Sequence, residues 1–283
     1  MSYDLNSIIE NKPKPPRIAI HGLEGIGKST FAAGADNPIF ILPGTEDGLG
    51  DLQVKHFPIC KTFDDVLECL AVLGEGEHDY KTVVIDTLDA LEPLVHAETC
   101  RRHGVSSIEK VLKGWGKGYA EALTEWRQLL ACFTALRDEK GMTVILVAHS
   151  AYAPVKDPEH PEYDTNALKL QKKAAQLISE YCDVVGFASL KMFIKMEGED
   201  EDKRARAIED PKKRRILRLS VNPAFSAKCR YTEMPEEIPL VWDEFAKYLP
   251  KIPAKRVRRP KPAAAKEPKA EGETTGGENS APE

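Results

Sequence analysis

The chain has 283 residues, 42% hydrophobic and 30% charged, an ordinary globular balance with enough apolar material to bury one sizeable core. Its formal net charge of -5 excludes attraction of a polyanion by overall charge, so such a partner must meet a local basic patch. No apolar run approaches the roughly 18 residues that span a bilayer. The six scattered cysteines include no C-x-x-C pair and read as reduced thiols of a cytosolic protein.

In chain order, residues 1–16 are polar and end in Lys12-Pro13-Lys14-Pro15-Pro16, an extended lead-in. Residues 17–21 are predicted as a short apolar strand, and a helix opens within the glycine-rich segment after it. Residues 38–42 form a second strand, closed by Pro43 and Gly44. Phe63, Val66, Leu67, Leu70 and Leu73 recur at helical spacing. Residues 82–86 are a β-branched third strand ending in Asp86, with a helix carrying Glu92 behind it. After a polar stretch, Tyr119, Leu123, Trp126, Leu130, Phe133 and Leu136 share one face of a long helix. Residues 142–149 are a fourth strand, almost continuously apolar. Residues 181–190 and 214–221 are further strand candidates, and 240–248 is a short amphipathic helix. Continuous apolar strands alternating with helices predict an α/β domain over 17–249, with a mostly parallel sheet flanked by helices on both faces. Residues 250–283 are too poor in apolar groups to offset their ordering entropy, and are expected to be a disordered, basic-then-acidic tail.

The segment Gly22, Leu23, Glu24, Gly25, Ile26, Gly27, Lys28, Ser29, Thr30 carries the pattern G-x-x-x-x-G-K-S between a predicted strand and a predicted helix, the context a phosphate loop requires. Glycines let backbone N–H groups curl around phosphates, and the helix N-terminus adds partial positive charge. Lys28 is expected on the β- and γ-phosphates of ATP, with Ser29 and Asp86 on Mg²⁺. Asp86 is followed by Thr87, so no adjacent carboxylate can activate water. Glu46, just beyond the second strand, is the predicted base, because C-terminal strand ends converge on the ligand in a parallel sheet. Glu92 is the alternative.

Together these residues resemble the RecA-like ATPases, and most closely the phage-encoded RecA-like single-strand annealing proteins, over about residues 16–248. Residues 40–50 are similar to the strand that ends in RecA's catalytic glutamate, which supports Glu46. Residues 84–91 (Val-Ile-Asp-Thr-Leu-Asp-Ala-Leu) are similar to RecA's second nucleotide motif. His149 stands where the family places a polar residue that senses the γ-phosphate, although RecA itself has Gln there. Asn166-Ala167-Leu168-Lys169 resembles the family's return from a DNA-binding loop into a helix. The resemblance implies an ATPase with ATP and Mg²⁺ as cofactors, acting in the cytoplasm of a bacterial host. It also implies single-stranded DNA as partner, a homo-oligomeric ring or filament, and a single-strand-binding protein beside it, with no membrane. RecA's N-terminal oligomerisation helix and separate C-terminal domain are not expected within these 283 residues.

The family places two mobile loops near DNA, which by position would be 96–119 and 150–173. The first mixes Lys113 and Lys117 with Trp115, Tyr119 and the glycines Gly114, Gly116 and Gly118, the cations, rings and flexible backbone of single-strand sites. The alternative is that Trp115 and Tyr119 anchor the long helix in the core. The second loop offers Tyr152, Lys156 and Lys169 around an acidic middle. Residues 212–215 (Lys-Lys-Arg-Arg), with Arg218, Lys228 and Arg230, read as a backbone-binding patch, as a trans-acting finger built on Lys228 or Arg230, or as a solvated edge strand. A RecA-fold helicase or translocase subunit, a P-loop small-molecule kinase and a nucleotide-binding regulator remain alternative functions.

Overall fold

Each central strand carries two interleaved apolar stripes, and each stripe meets its own layer of helices. In β1 (Arg17–Gly22), Ala19 joins one core while Ile18 and Ile20 join the other. The same alternation runs through β2 (Pro38–Ile41), β4 (Thr82–Asp86) and the start of β5 (Thr143–Val155), with β3 (Lys55–His56) short and exposed. On the first face lie α2 (Phe63–Glu75), α3 (Leu88–His103), α5 (Leu123–Ala135) and α6 (Lys172–Tyr181). On the second lie α1 (Lys28–Ala33) and α7 (Trp242–Ala246), where Phe31 meets Trp242 and Phe245 edge-on. A short α4 (Lys117–Glu121) precedes α5. The computed structural model describes residues 4–44, 48–156, 158, 161–197, 204–210 and 212–252.

The later strands are β6 (Tyr163–Leu168), β7 (Val184–Leu190), β8 (Met192–Glu197), β9 (Arg204–Glu209), β10 (Arg215–Arg218), β11 (Lys228–Cys229) and β12 (Glu237–Pro239). The main sheet runs β12-β10-β7-β1-β5-β4-β2-β3, with β11 also on β7 and β6 on β5, while β8 and β9 pair with each other. Strands β7, β1, β5, β4, β2 and β3 are parallel, and the antiparallel β10 and β12 extend one edge. The fold is therefore α/β with a mostly parallel sheet covered on both faces. Among the described residues, no helix is long and apolar enough to cross a membrane, and all six cysteines are free.

Several expectations are corrected. The expected loop 150–173 is a hairpin: β5 continues past His149 to Val155, and six residues pair with β6 from Ser150–Leu168 to Val155–Tyr163. Exposure alternates along this extension, the period-2 mark of a strand; Pro154 and the acidic tip hide it from a reading of composition. Asn166 and Leu168 thus lie in a strand rather than at a helix entry, and α6 starts at Lys172. The expected loop 96–119 begins as the last turns of α3, then passes through a 3₁₀ segment at Ile108–Lys113 into α4. The long helix predicted from Tyr119 is split at Ala122. The β8–β9 hairpin was not anticipated. Glu46 and residues 253–283 of the tail lie outside the described residues.

Candidate nucleotide site

Four parallel strands bring the site together, and β5 sits between β1 and β4. Gly22, the last residue of β1, pairs with His149 on one side and Ala188 of β7 on the other. A Cβ at Gly22 would stand 2.5 Å from the Ala188 carbonyl oxygen, so only glycine lets the chain leave the sheet at this point. The loop then turns through two left-handed glycines, Gly25 (φ 70°) and Gly27 (φ 103°), the second being the N-cap of α1. Ile26 tucks into the core while Leu23, Glu24 and Gly25 face solvent.

Lys28 is only 5% exposed. Its Nζ donates to the carbonyl oxygens of Gly22 (3.0 Å) and Leu23 (2.9 Å), which places the ammonium inside the curl of the loop. Ser29 and Thr30 follow on the first turn of α1. Asp86, 7% exposed, ends β4 beside Val147 of β5, two residues before His149. The loop, the cation within it, the first-turn hydroxyl and a buried carboxylate across β5 fit a nucleoside triphosphate with its metal. Among the described residues, no group of three or more His, Cys, Asp or Glu side chains could hold a metal ion by itself. A divalent cation would therefore depend on phosphate oxygens and water beside Ser29 and Asp86, as Mg²⁺ sites commonly do.

His149 is held by a residue that the sequence reading passed over. Asp89, in the first turn of α3, accepts its main-chain N–H at 2.8 Å and faces its Nδ1 at 2.7 Å. Burial works against the Asp89 charge, yet the two His149 hydrogen bonds hold its carboxyl below the usual range. Lys169, whose N–H donates to the His149 carbonyl at 2.9 Å, brings its Nζ to 4.0 Å from Asp89. Leu23, Glu24, His149, Ser150, Ala151 and Lys169 line a cleft of about 360 Å³ beside the loop. In the sequence Asp89 reads only as an acidic residue in the first turn of the helix that follows Asp86.

Glu92, the alternative base, is occupied: both its oxygens accept the Gln171 N–H, at 2.9 and 3.1 Å, at the start of α6. Burial lifts its carboxyl above the usual range against the pull of that N–H, and the Asp89 charge adds to the rise. His21 is fully buried behind the loop, with Nε2 2.7 Å from the Ser226 carbonyl and Nδ1 2.8 Å from the Ser150 hydroxyl. A carbonyl only accepts, so Nε2 carries the proton and Nδ1 takes the Ser150 O–H. Burial pushes the His21 pKa down to about 4, the Ser226 bond opposing and the Lys28 charge assisting. This histidine joins the strand of the phosphate loop to the base of the hairpin.

The other expected residues fall elsewhere. Tyr152, 77% exposed, stands on the hairpin, and Lys156 lies just past β5, 4.0 Å from Glu162. Lys113, Trp115 and Lys117 follow α3, with Lys113 and Trp115 in left-handed backbone and Trp115 96% exposed rather than a core anchor. Tyr119 packs edge-on against His96, 5.4 Å between centroids. Lys228 donates to the Ser179 carbonyl at 2.6 Å, and Arg230 to Asp183 at 2.9 Å. Asp183 also accepts the N–H of Arg17, so both cations sit at the N-terminal ends of β1 and β7, away from the loop of their own chain. A family model described as an AAA domain matches residues 14–231, about three quarters of the chain. No match to a curated protein was found.

Proposed function

This chain belongs to the family of AAA domains, P-loop nucleotide-binding ATPases, and from that premise we propose a RecA-like ATPase of the phage annealing type, which binds single-stranded DNA under the control of ATP. The observation that carries this reading is the continuity of β5. The strand that pairs His149 with Gly22 runs on into an exposed hairpin bearing Tyr152, with Lys156 beyond it. One continuous strand thus joins the nucleotide loop to a surface with the ring and cation that single-strand binding uses. Trp115, with Lys113 and Lys117, offers a second such surface. Magnesium–ATP, when bound, supplies the phosphoryl group that water accepts. Lys28 would neutralise phosphate charge, Ser29 and Asp86 would hold the metal, and Glu46 would take the proton from water. A ring or filament of identical subunits, working with a single-strand-binding protein, completes the proposal.

ATP turnover measured with and without a single-stranded oligonucleotide tests the reading. Stimulation by the oligonucleotide, with faster annealing of complementary strands and no unwinding of duplex, is the expected result. Turnover indifferent to DNA, with no DNA binding, would leave an ATPase and remove the annealing function. Unwinding would favour a helicase instead.

A further inference from the structure

Residues 212–215 are four cations in a row, and the structure separates their duties. Arg214 pairs with Asp210. Arg215 turns to the phosphate loop: a Cβ built on Gly27 would lie 3.0 Å from its Nη1, and the three nearest atoms to that position all belong to Arg215. Its backbone is fixed on both sides, opposite Leu190 of β7 and accepting the Leu240 N–H at 3.0 Å. Two residues before Leu190, Ala188 is the partner of Gly22. The antiparallel β10 therefore begins at the end of the sheet where the phosphate loop emerges, and its first side chain reaches that loop. Among the described residues, no carboxylate forms an ion pair with Arg215.

We propose that Arg215 is a second phosphate-binding cation of this site, supplied by the same chain that supplies the loop. The inference rests on the ATPase reading above and adds a residue outside the loop motif. Lys28 is a point charge enclosed by the loop, whereas a guanidinium is planar, stays charged and offers a fork that matches two phosphate oxygens. Arg215 approaches from outside the curl, beside the helix N-terminus. The ligand it recognises is a nucleoside di- or triphosphate, through the phosphates and not the base.

Equilibrium binding of fluorescent ADP and of a non-hydrolysable ATP analogue, read by anisotropy at fixed salt, provides the test. Arg215→Ala should weaken both by roughly 10- to 100-fold, the loss of a hydrogen-bonded charge, while Arg215→Lys recovers part of the loss. Lys212→Ala and Lys213→Ala, exposed neighbours of the same charge, should bind nearly as the wild type does, which separates contact from the general field. Competition by adenosine should be equal in wild type and Arg215→Ala. A second arm mixes Arg215→Ala protein with Lys28→Ala protein: a cation acting within its own chain leaves nucleotide binding unrestored. Wild-type affinity in Arg215→Ala, an equal loss in Lys213→Ala, weakened adenosine competition, or restoration on mixing would each overturn the proposal. Should wild type and Lys28→Ala bind nucleotide equally, the phosphate-loop assignment itself fails; a defect in Lys28→Ala with none in Arg215→Ala removes this inference alone.

Discussion

Asp89 grips His149 twice, taking the main-chain N–H on one carboxylate oxygen and the Nδ1 proton on the other. A carboxylate only accepts, so Nδ1 carries the proton of this contact. Because His149 pairs laterally with Gly22, this clamp ties α3 to β5, the strand that becomes the hairpin. We predict reciprocal coupling between ATP and single-stranded DNA of roughly 5- to 150-fold in the wild type. His149→Ala and Asp89→Asn should both shrink it, with ATP affinity in the absence of DNA nearly intact. DNA affinity at fixed salt, with ATP analogue, with ADP and without nucleotide, checks this, since salt alone moves such affinities by orders of magnitude. Full coupling in both variants would remove the pair from the mechanism.

The two candidate bases separate by what they hold. Glu92 serves the start of α6 through the Gln171 N–H, so Glu92→Ala should cost about 1–3 kcal/mol of stability and Glu92→Gln should leave single-turnover hydrolysis close to wild type. Glu46→Gln should bind ATP and hydrolyse it at least about 100-fold more slowly, the scale of general-base catalysis. Rapid-quench hydrolysis and urea unfolding of the same variants measure both quantities. The reverse pattern would make Glu92 the base.

His21 gives the fold a pH dependence of known sign. Its folded pKa of about 4 lies below the ordinary 6.5, so between these values the unfolded chain binds more protons than the folded one. Stability therefore falls as pH drops through that window, by about 3 kcal/mol at its lower end. A His21→Gln variant should be less stable at pH 7 and show a flatter decline from pH 7 to pH 4. Urea midpoints across that range provide the measurement, and parallel declines in the two proteins would contradict the assignment.

Gly22→Ala should destabilise the fold by about 1–3 kcal/mol, because its new methyl would press on the Ala188 carbonyl, which sheet pairing holds in place. Thermal unfolding without nucleotide isolates this effect from any loss of phosphate binding. An unshifted transition would mean that β7 yields where the pairing says it cannot.

The parallel core was legible because its cause is local. Two-faced burial makes residues 82–86 and 142–149 continuous apolar runs, and the loop glycines sit between a strand and a helix as the pattern demands. Asp89 and Arg215 were not legible as site residues. An aspartate in the first turn of a helix and an arginine in a basic run are both common on surfaces, and only sheet order brings β10 beside β1 through β7. The hairpin was missed for a related reason: its alternation resumes after a fully buried strand, and Tyr152, Pro154 and the acidic tip read as loop. His21 was read merely as the end of an apolar strand, since its partners Ser150 and Ser226 come from far along the chain.

The hairpin has a mechanical consequence. From Ser150 to Val155 the unbroken extension of β5 reaches about 17 Å at strand rise, with its fulcrum at the residue that partners Leu168, directly after His149. A tilt of about 10° at that fulcrum would carry the tip through about 3 Å over this span. In ATP-controlled DNA binding, such a tilt would turn a small displacement beside the phosphate loop into one the size of a hydrogen bond at the far end, in proportion to the length of the arm.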